Sequence, residues 1–280
     1  MVRRKFGQHF LADAQVLERI VEAGDLSSCD LVFEVGVGEG TLTERLAQKA
    51  GWVVGLEIDS SLLARAKERL KNFPNVVLME EDVLSVDFSL LFSFPAERRK
   101  CVANLPYGIS TPFFFRFLTA TPKVEWERFV VMVQYEFGEK LLSLPPQGKG
   151  NPLSVATARI FSVERLLVVP PSSFRPNPRV YSVLLRGRRK SEVPKDYPEF
   201  LHFVTQIFRH RRKTLRNLVP EEALLPGMAK KRAEDLALEE WEELWERARV
   251  VLGKKQEYNG GRGCYAKEHL GRGQSHRCQD

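Results

Sequence analysis

Asn104-Leu105-Pro106-Tyr107 closes a short apolar run, 100–103, and combines an amide, a stiff turn and an aromatic ring. The run reads as a buried strand. That puts Asn104 at a strand's carboxyl edge, where open α/β sheets hold their ligands. Pro106 fixes φ and removes a backbone donor, so the turn is rigid. The Asn104 amide oxygen and the Leu105 and Pro106 carbonyls can accept from an exocyclic amine. The Tyr107 ring can stack on the π-face of the heterocycle that bears it. An ordinary strand-to-helix turn with a buried tyrosine uses the same four residues, so the rest of the chain must decide.

Glu34, Gly36, Gly38 and Gly40 lie between an apolar run, 31–35, and a helical pattern, 41–49. Glycines at such a junction let backbone approach a ligand closely. Glu57 ends the next strand pattern, about twenty residues on, where an acid grips ribose hydroxyls. Asp82 ends a third, placed to accept from an adenine amine. A dinucleotide site shares this plan. An acid at position 34, however, repels a pyrophosphate and suits a ligand carrying a sulfonium and an ammonium. S-adenosylmethionine is such a ligand. An amine held by Asn104 and a methyl donor held beside it make in-line methyl transfer the natural chemistry. That chemistry requires no metal.

Two further stretches bear on the substrate. In 174–180, prolines at 176 and 178 hold a loop extended, with Phe174, Arg175 and Arg179 on it. Phe174 is expected to supply the second face of a base sandwich with Tyr107. Arg209, Arg211, Arg212, Lys213 and Arg216 fall within eight positions on an expected helix and make a phosphate-binding surface. A core phenylalanine and a solvated charged face are the plainer readings of these two stretches.

The elements that must carry these residues alternate. Strand patterns at 31–35, 52–58, 75–79, 99–103 and 129–134 are separated by helical ones, and 164–169 with 180–186 reads as a closing antiparallel pair. The expectation is a doubly wound, mostly parallel, Rossmann-like α/β sheet over residues 1–187. Residues 188–252 are expected to form a small all-helical domain and 253–280 a disordered tail. The 280 residues carry 43 Lys plus Arg against 36 Asp plus Glu, a net charge of +7 that permits nucleic-acid binding without requiring it. No apolar run reaches membrane-spanning length. The four cysteines are few and irregular, and Cys29 and Cys101 adjoin apolar segments, which fits buried thiols in the cytoplasm. Cys264, His269, His276 and Cys278 match no common zinc spacing, so no metal is expected.

In this order and combination, residues 6–11, 34–38, 57–59, 82, 104–107, 174–182 and 211–217 resemble the ribosomal RNA adenine dimethyltransferase family. The resemblance implies a class I methyltransferase fold that dimethylates two adjacent adenosines near the 3′ end of small-subunit rRNA. It implies that His9, Leu11, Gly36, Glu57, Asp82 and Asn104 hold S-adenosylmethionine, to which the reading of the glycine loop adds Glu34 and Gly38. It implies that Tyr107 and Phe174 stack on the base; with Asn104, Leu105 and Pro106 they are the expected catalytic centre, and Arg209, Arg211, Arg212, Lys213 and Arg216 are expected to bind RNA. The expected partner is rRNA in a pre-small-subunit particle, met by a cytoplasmic monomer away from membranes. His9 stands where the family commonly has Asn, and Gly108 replaces a frequent Asn. Two other functions use the same residues: methylation of a large-subunit rRNA adenine, and ribosome assembly driven mainly by binding. The proline-rich loop and the basic segment favour the small-subunit enzyme.

Overall fold

The computed structural model describes residues 9–258. In chain order the main elements are β1 (Phe10–Leu11), α1 (Ala14–Gly24), β2 (Asp30–Val35), α2 (Thr41–Ala47), β3 (Trp52–Glu57), α3 (Ser60–Leu70) and β4 (Val76–Glu80). Then come β5 (Arg98–Asn104), α4 (Ser110–Val124), β6 (Arg128–Gln134), α5 (Tyr135–Leu142), α6 (Pro152–Ile160), β7 (Phe161–Val169), β8 (Phe174–Arg175) and β9 (Ser182–Arg189). The chain continues into α7 (Tyr197–Phe208) and α8 (Leu238–Tyr258). Aspartate side chains cap α1 and α3. Asp13 accepts from the Gln15 and Val16 amides, and Asp59 from those of Ser61 and Leu62.

Seven strands form one sheet in the order β4-β3-β2-β5-β6-β9-β7. The five strands from β4 to β6 are parallel, and β9 pairs antiparallel with both β6 and β7. The chain winds outward from β2 in one direction and from β5 in the other. The gap between their carboxyl ends is therefore the switch point at which such sheets bind ligands. At the opposite edge, Asp30 receives the Lys100 ammonium at 3.0 Å and the Arg98 guanidinium at 2.7 Å, tying β2 to β5. Burial pushes the Asp30 carboxyl up. The Lys100 hydrogen bond, the Ser27 amide and the Lys100 and Arg98 charges outweigh it and hold Asp30 below its ordinary range. The Cys101 thiol is buried in β5, whereas Cys29 is exposed, contrary to expectation, because it sits in the turn before β2.

Several boundaries differ from the sequence expectation. β9 runs to Arg189, past the boundary at 187, because its outer residues still pair with β6 and β7. The segment 198–252 is not helical throughout: short 3-10 turns fill the stretch between α7 and α8. α8 continues to Tyr258, beyond the boundary at 252, and residues 259–280, with the four Cys and His of the tail, lie outside the described residues. Nor do the C-terminal helices have a core of their own. Tyr197, Phe200, Trp241 and Trp245 share one apolar cluster with Phe117 of α4 and Phe129 and Phe161 of the sheet. Asp196 adds polar fastening, meeting Arg159 of α6 at 3.0 Å and the Trp245 indole. Among the described residues no helix is long and apolar enough to cross a membrane.

Candidate active site

A cleft of about 410 Å³ opens at the switch point, a size suited to a cofactor-sized ligand. His9, Leu11, Glu34, Gly36, Gly38, Glu57, Asp82 and the turn 104–107 all line it. The expected cofactor residues and the expected amine-binding turn thus share one cavity.

The glycine loop is shaped by close approach. Gly36 has φ +74°, and a Cβ there would lie 3.2 Å from Pro106 Cδ. Gly38 has φ +58°, and a Cβ there would crowd the Phe10 ring at 3.2 Å. Both positions therefore need glycine for conformation and for space. Glu57 is buried and braces this loop. One oxygen accepts from the Gly38 amide at 2.8 Å and the other from the Asp59 amide at 3.0 Å. Each carboxylate oxygen keeps a lone pair for a ligand hydroxyl. Asp82 Oδ1 accepts from the Leu84 amide at 2.8 Å. Glu34 is 1% exposed, and its Oε2 has no hydrogen-bond partner among the described residues. Burial raises its carboxyl to about 8, with the Thr43 hydroxyl pulling down and the Glu57 charge adding to the rise. An unpartnered buried oxygen at the wall of a cleft is a ready acceptor for a cationic ligand.

The turn 104–107, expected to bind the amine, is equally constrained. Asn104 is the last residue of β5, and its Nδ2 donates to the His9 carbonyl at 3.4 Å. Using the amide nitrogen in this way leaves Oδ1 as the free acceptor. The Leu105 amide donates to Met132 O at 3.0 Å, which locks the turn to β6. The Pro106 carbonyl accepts from the Ile109 amide at 3.1 Å and retains one lone pair. Tyr107 shares a 2.6 Å hydrogen bond with the Ser182 hydroxyl at the start of β9. Burial lifts its phenol above the ordinary value, with the Ser182 bond offsetting part of that, so it stays protonated at neutral pH. Gly108 has open space where a side chain would stand, so its departure from the family's Asn disturbs no packing.

Phe174 requires a correction. Its ring is fully buried and does not line the cleft. β8 pairs with β1, which aligns Phe174 with Leu11, and both belong to the apolar cluster beneath the cleft. Burying a large ring in that cluster is more favourable than displaying it. Phe174 therefore anchors the segment 9–13 across the cleft instead of forming a second stacking face. His9 Nδ1 lies 2.8 Å from Pro176 O, and the Ala12 amide donates to Ser173 O at 2.9 Å, completing the attachment. Residues 6–8 of the N-terminal motif lie outside the described residues.

The basic cluster also differs from expectation. Arg209, Arg211, Arg212, Lys213 and Arg216 do not lie along a helix, because α7 ends at Phe208 and turns follow. All five are exposed. Arg209 bonds Gln206, while Arg211, Arg212, Lys213 and Arg216 make no ion pair or side-chain hydrogen bond among the described residues. Buried Leu215 pins the segment to the body. Sequence reasoning missed Ile58, which lines the cleft while 48% exposed. An apolar residue directly after the acid at a strand end was the available signal, since it offers a flat apolar contact to a base bound by that acid.

A doubly wound sheet with a glycine loop and three acids at successive strand ends defines a class I methyltransferase. A model of the family described as ribosomal RNA adenine dimethylase matches residues 1–241, and the chain belongs to that family. The ribosomal RNA small subunit methyltransferase A of Thermotoga neapolitana is 39% identical over 254 residues, covering 88% of this chain and 93% of that protein. Its namesake in Thermotoga maritima is 39% identical over 255 residues, covering 90% and 87%. A dimethyladenosine transferase from Plasmodium falciparum superposes with a TM-score of 0.72 at 25% identity, over 89% of this chain and 98% of that one. The 23S rRNA methyltransferase ErmE does so with a TM-score of 0.65 at 26% identity, over 85% and 99%.

Proposed function

We propose that the protein transfers methyl groups from S-adenosylmethionine to the exocyclic N6 of two adjacent adenosines near the 3′ end of small-subunit rRNA. In this reading it acts as a cytoplasmic monomer on a pre-small-subunit particle. The observation that carries the reading is the contact between the two halves of the cleft: Pro106 of the amine-binding turn packs against Gly36 of the glycine loop. A target amine and a cofactor held by these two segments would meet without an intervening layer of protein.

The cofactor fits the residues present. The unpartnered Glu34 oxygen suits its cationic end, Glu57 its ribose, Asp82 its adenine amine, and Gly36 and Gly38 leave the room. When bound, it supplies a methyl group on an electron-poor sulfur. Asn104 Oδ1 and the Leu105 or Pro106 carbonyl accept from the adenine N6 hydrogens, which favours a pyramidal nitrogen with its lone pair directed inward. Tyr107 stacks on the base, and its bond to Ser182 fixes the ring plane. A cofactor held there would give its methyl to the N6 lone pair that Asn104 and the turn direct inward and would leave as a neutral thioether. The methylated nitrogen then sheds an acidic proton to water, so no strong base is required.

Mapping decides between substrates. Unmethylated small and large subunits are incubated with labelled cofactor, and the modified bases are located. Dimethyladenosine on small subunits is expected, and label confined to large subunits would transfer the protein to the ErmE-like reading.

Glu57→Ala should weaken S-adenosylmethionine binding by about 1–3 kcal/mol, the scale of stranding hydrogen-bonded polar groups. Unchanged affinity by calorimetry would remove the ribose from Glu57. Reversing Arg211 and Arg212 to Glu should weaken binding to small subunits and flatten the logarithmic salt dependence by about two, one per lost phosphate contact. Cofactor affinity should hold. An unaltered salt slope would return the cluster to a solvated surface.

A further inference from the structure

Tyr181 precedes β9 at the same sheet edge as the cleft, and it is 55% exposed. Its backbone is fixed, since its carbonyl accepts from the Tyr135 amide at 3.0 Å. The next residue is buried Ser182, whose hydroxyl is 2.6 Å from the Tyr107 phenol. One peptide and one hydrogen bond thus connect Tyr181 to the ring that faces the target base. Val180, 44% exposed, extends the apolar surface. Arg179 is exposed and makes no hydrogen bond or ion pair among the described residues. Arg175 differs, bracing its own loop through Ser172 O, Phe174 O and Asn177 Oδ1.

Exposed aromatics of this kind invite a partner. Phe92 is exposed to a similar degree, but the Arg99 guanidinium lies 4.7 Å over its ring. No ring or guanidinium covers Tyr181 among the described residues. An uncovered ring beside an uncommitted cation matches an unpaired nucleotide, whose base stacks and whose phosphate is neutralised.

We propose that Tyr181 is a stacking platform for the nucleotide adjoining the target adenine, with Arg179 on that nucleotide's phosphate. The inference rests on the rRNA methylation reading above. Drawing a base into the cleft leaves its neighbour unstacked, and a platform offsets that loss. With two adjacent adenosines as targets, one rests on Tyr181 while the other is held at Asn104.

The test compares wild type with Tyr181→Ala, Tyr181→Phe and Tyr181→Leu on unmethylated small subunits. Methylation kinetics and sedimentation binding are measured in parallel. Tyr181→Ala should raise KM for subunits roughly tenfold, the scale of one lost base–aromatic stack, with kcat within about twofold. S-adenosylmethionine affinity and thermal stability should not move. Tyr181→Phe should restore KM, while Tyr181→Leu should resemble Ala. A wild-type KM in the Ala variant would overturn the platform. So would a Leu variant as good as Phe, which would mean simple apolar contact, or a loss of cofactor affinity or stability in Ala, which would mean a structural role. If wild type itself left small subunits unmethylated, the functional reading would fall. The binding series would still decide the platform: loss in Ala restored by Phe sustains it, and equal binding overturns it.

Discussion

Asn104→Ala should lower methyl transfer by a hundredfold or more while the protein remains folded and bound to its subunit. The substitution removes the amide oxygen that we propose orients the target amine, and losing one positioned polar contact in a transition state has effects of that size. Tyr107 keeps its bond to Ser182, and the exposed cations at 211–213 are untouched, so docking should survive. The Asn104 side chain also donates to the His9 carbonyl, and that segment covers the cofactor side of the cleft. The assay therefore uses saturating S-adenosylmethionine, and cofactor affinity is measured separately. Two readouts matter: dimethyladenosine on small subunits, and growth with subunit maturation in cells carrying only this variant. Near-normal dimethylation would remove Asn104 from the chemistry. Lost methylation with normal maturation would mean that cells depend on binding, the assembly-factor reading. Loss of both, with the variant still bound, would mean that they depend on methylation.

Much of this site was legible in sequence because parallel sheets align chemistry with strand ends. Once 52–58, 75–79 and 100–103 read as strands, Glu57, Asp82 and Asn104 had to gather at one edge, and they line one cleft. The glycine loop was legible for a similar reason, since the spacing between a strand and a helix demands backbone that Gly36 and Gly38 allow. The misreadings concern contacts between distant segments. Nothing local to Phe174 announces that it pairs with Leu11, yet that pairing buries its ring. Arg209 to Arg216 continue a helical composition, but α7 ends at Phe208 and Leu215 is drawn into the core beside the Lys231 carbonyl. The polar, basic composition of 187–195 reads as a linker, although Arg188 and Arg189 still pair in the sheet.

S-adenosylmethionine affinity should rise roughly twentyfold between pH 6 and pH 8, and Glu34 is the cause. The free protein holds this carboxyl at about 8, first because it is buried and also because Glu57 is negative, with the Thr43 hydroxyl opposing. Its ordinary value is 4.5, so below that pH it is neutral whether folded or unfolded. As pH climbs from 4.5 to 8 the unfolded chain ionises first, and the folded protein progressively loses the stability this group contributed. A bound ammonium or sulfonium reverses the preference by favouring the carboxylate. Binding therefore expels a proton wherever the free protein still holds one. About one Glu34 in a hundred is ionised at pH 6 and about half at pH 8, and the ligand amine's own loss of charge near pH 8 cuts that rise roughly by half. The ligand's own amine titrates at about 7.7–8.0, so affinity should level and then decline above that range. Calorimetry at pH 7 in buffers of different ionisation heat should register release of nearly one proton. Glu34→Gln keeps the shape and has nothing to release, so its affinity should be flat from pH 6 to 7.5. A wild-type profile equally flat, with no proton released, would mean that Glu34 is already ionised in the free protein and that its unpartnered oxygen is not what receives the cation.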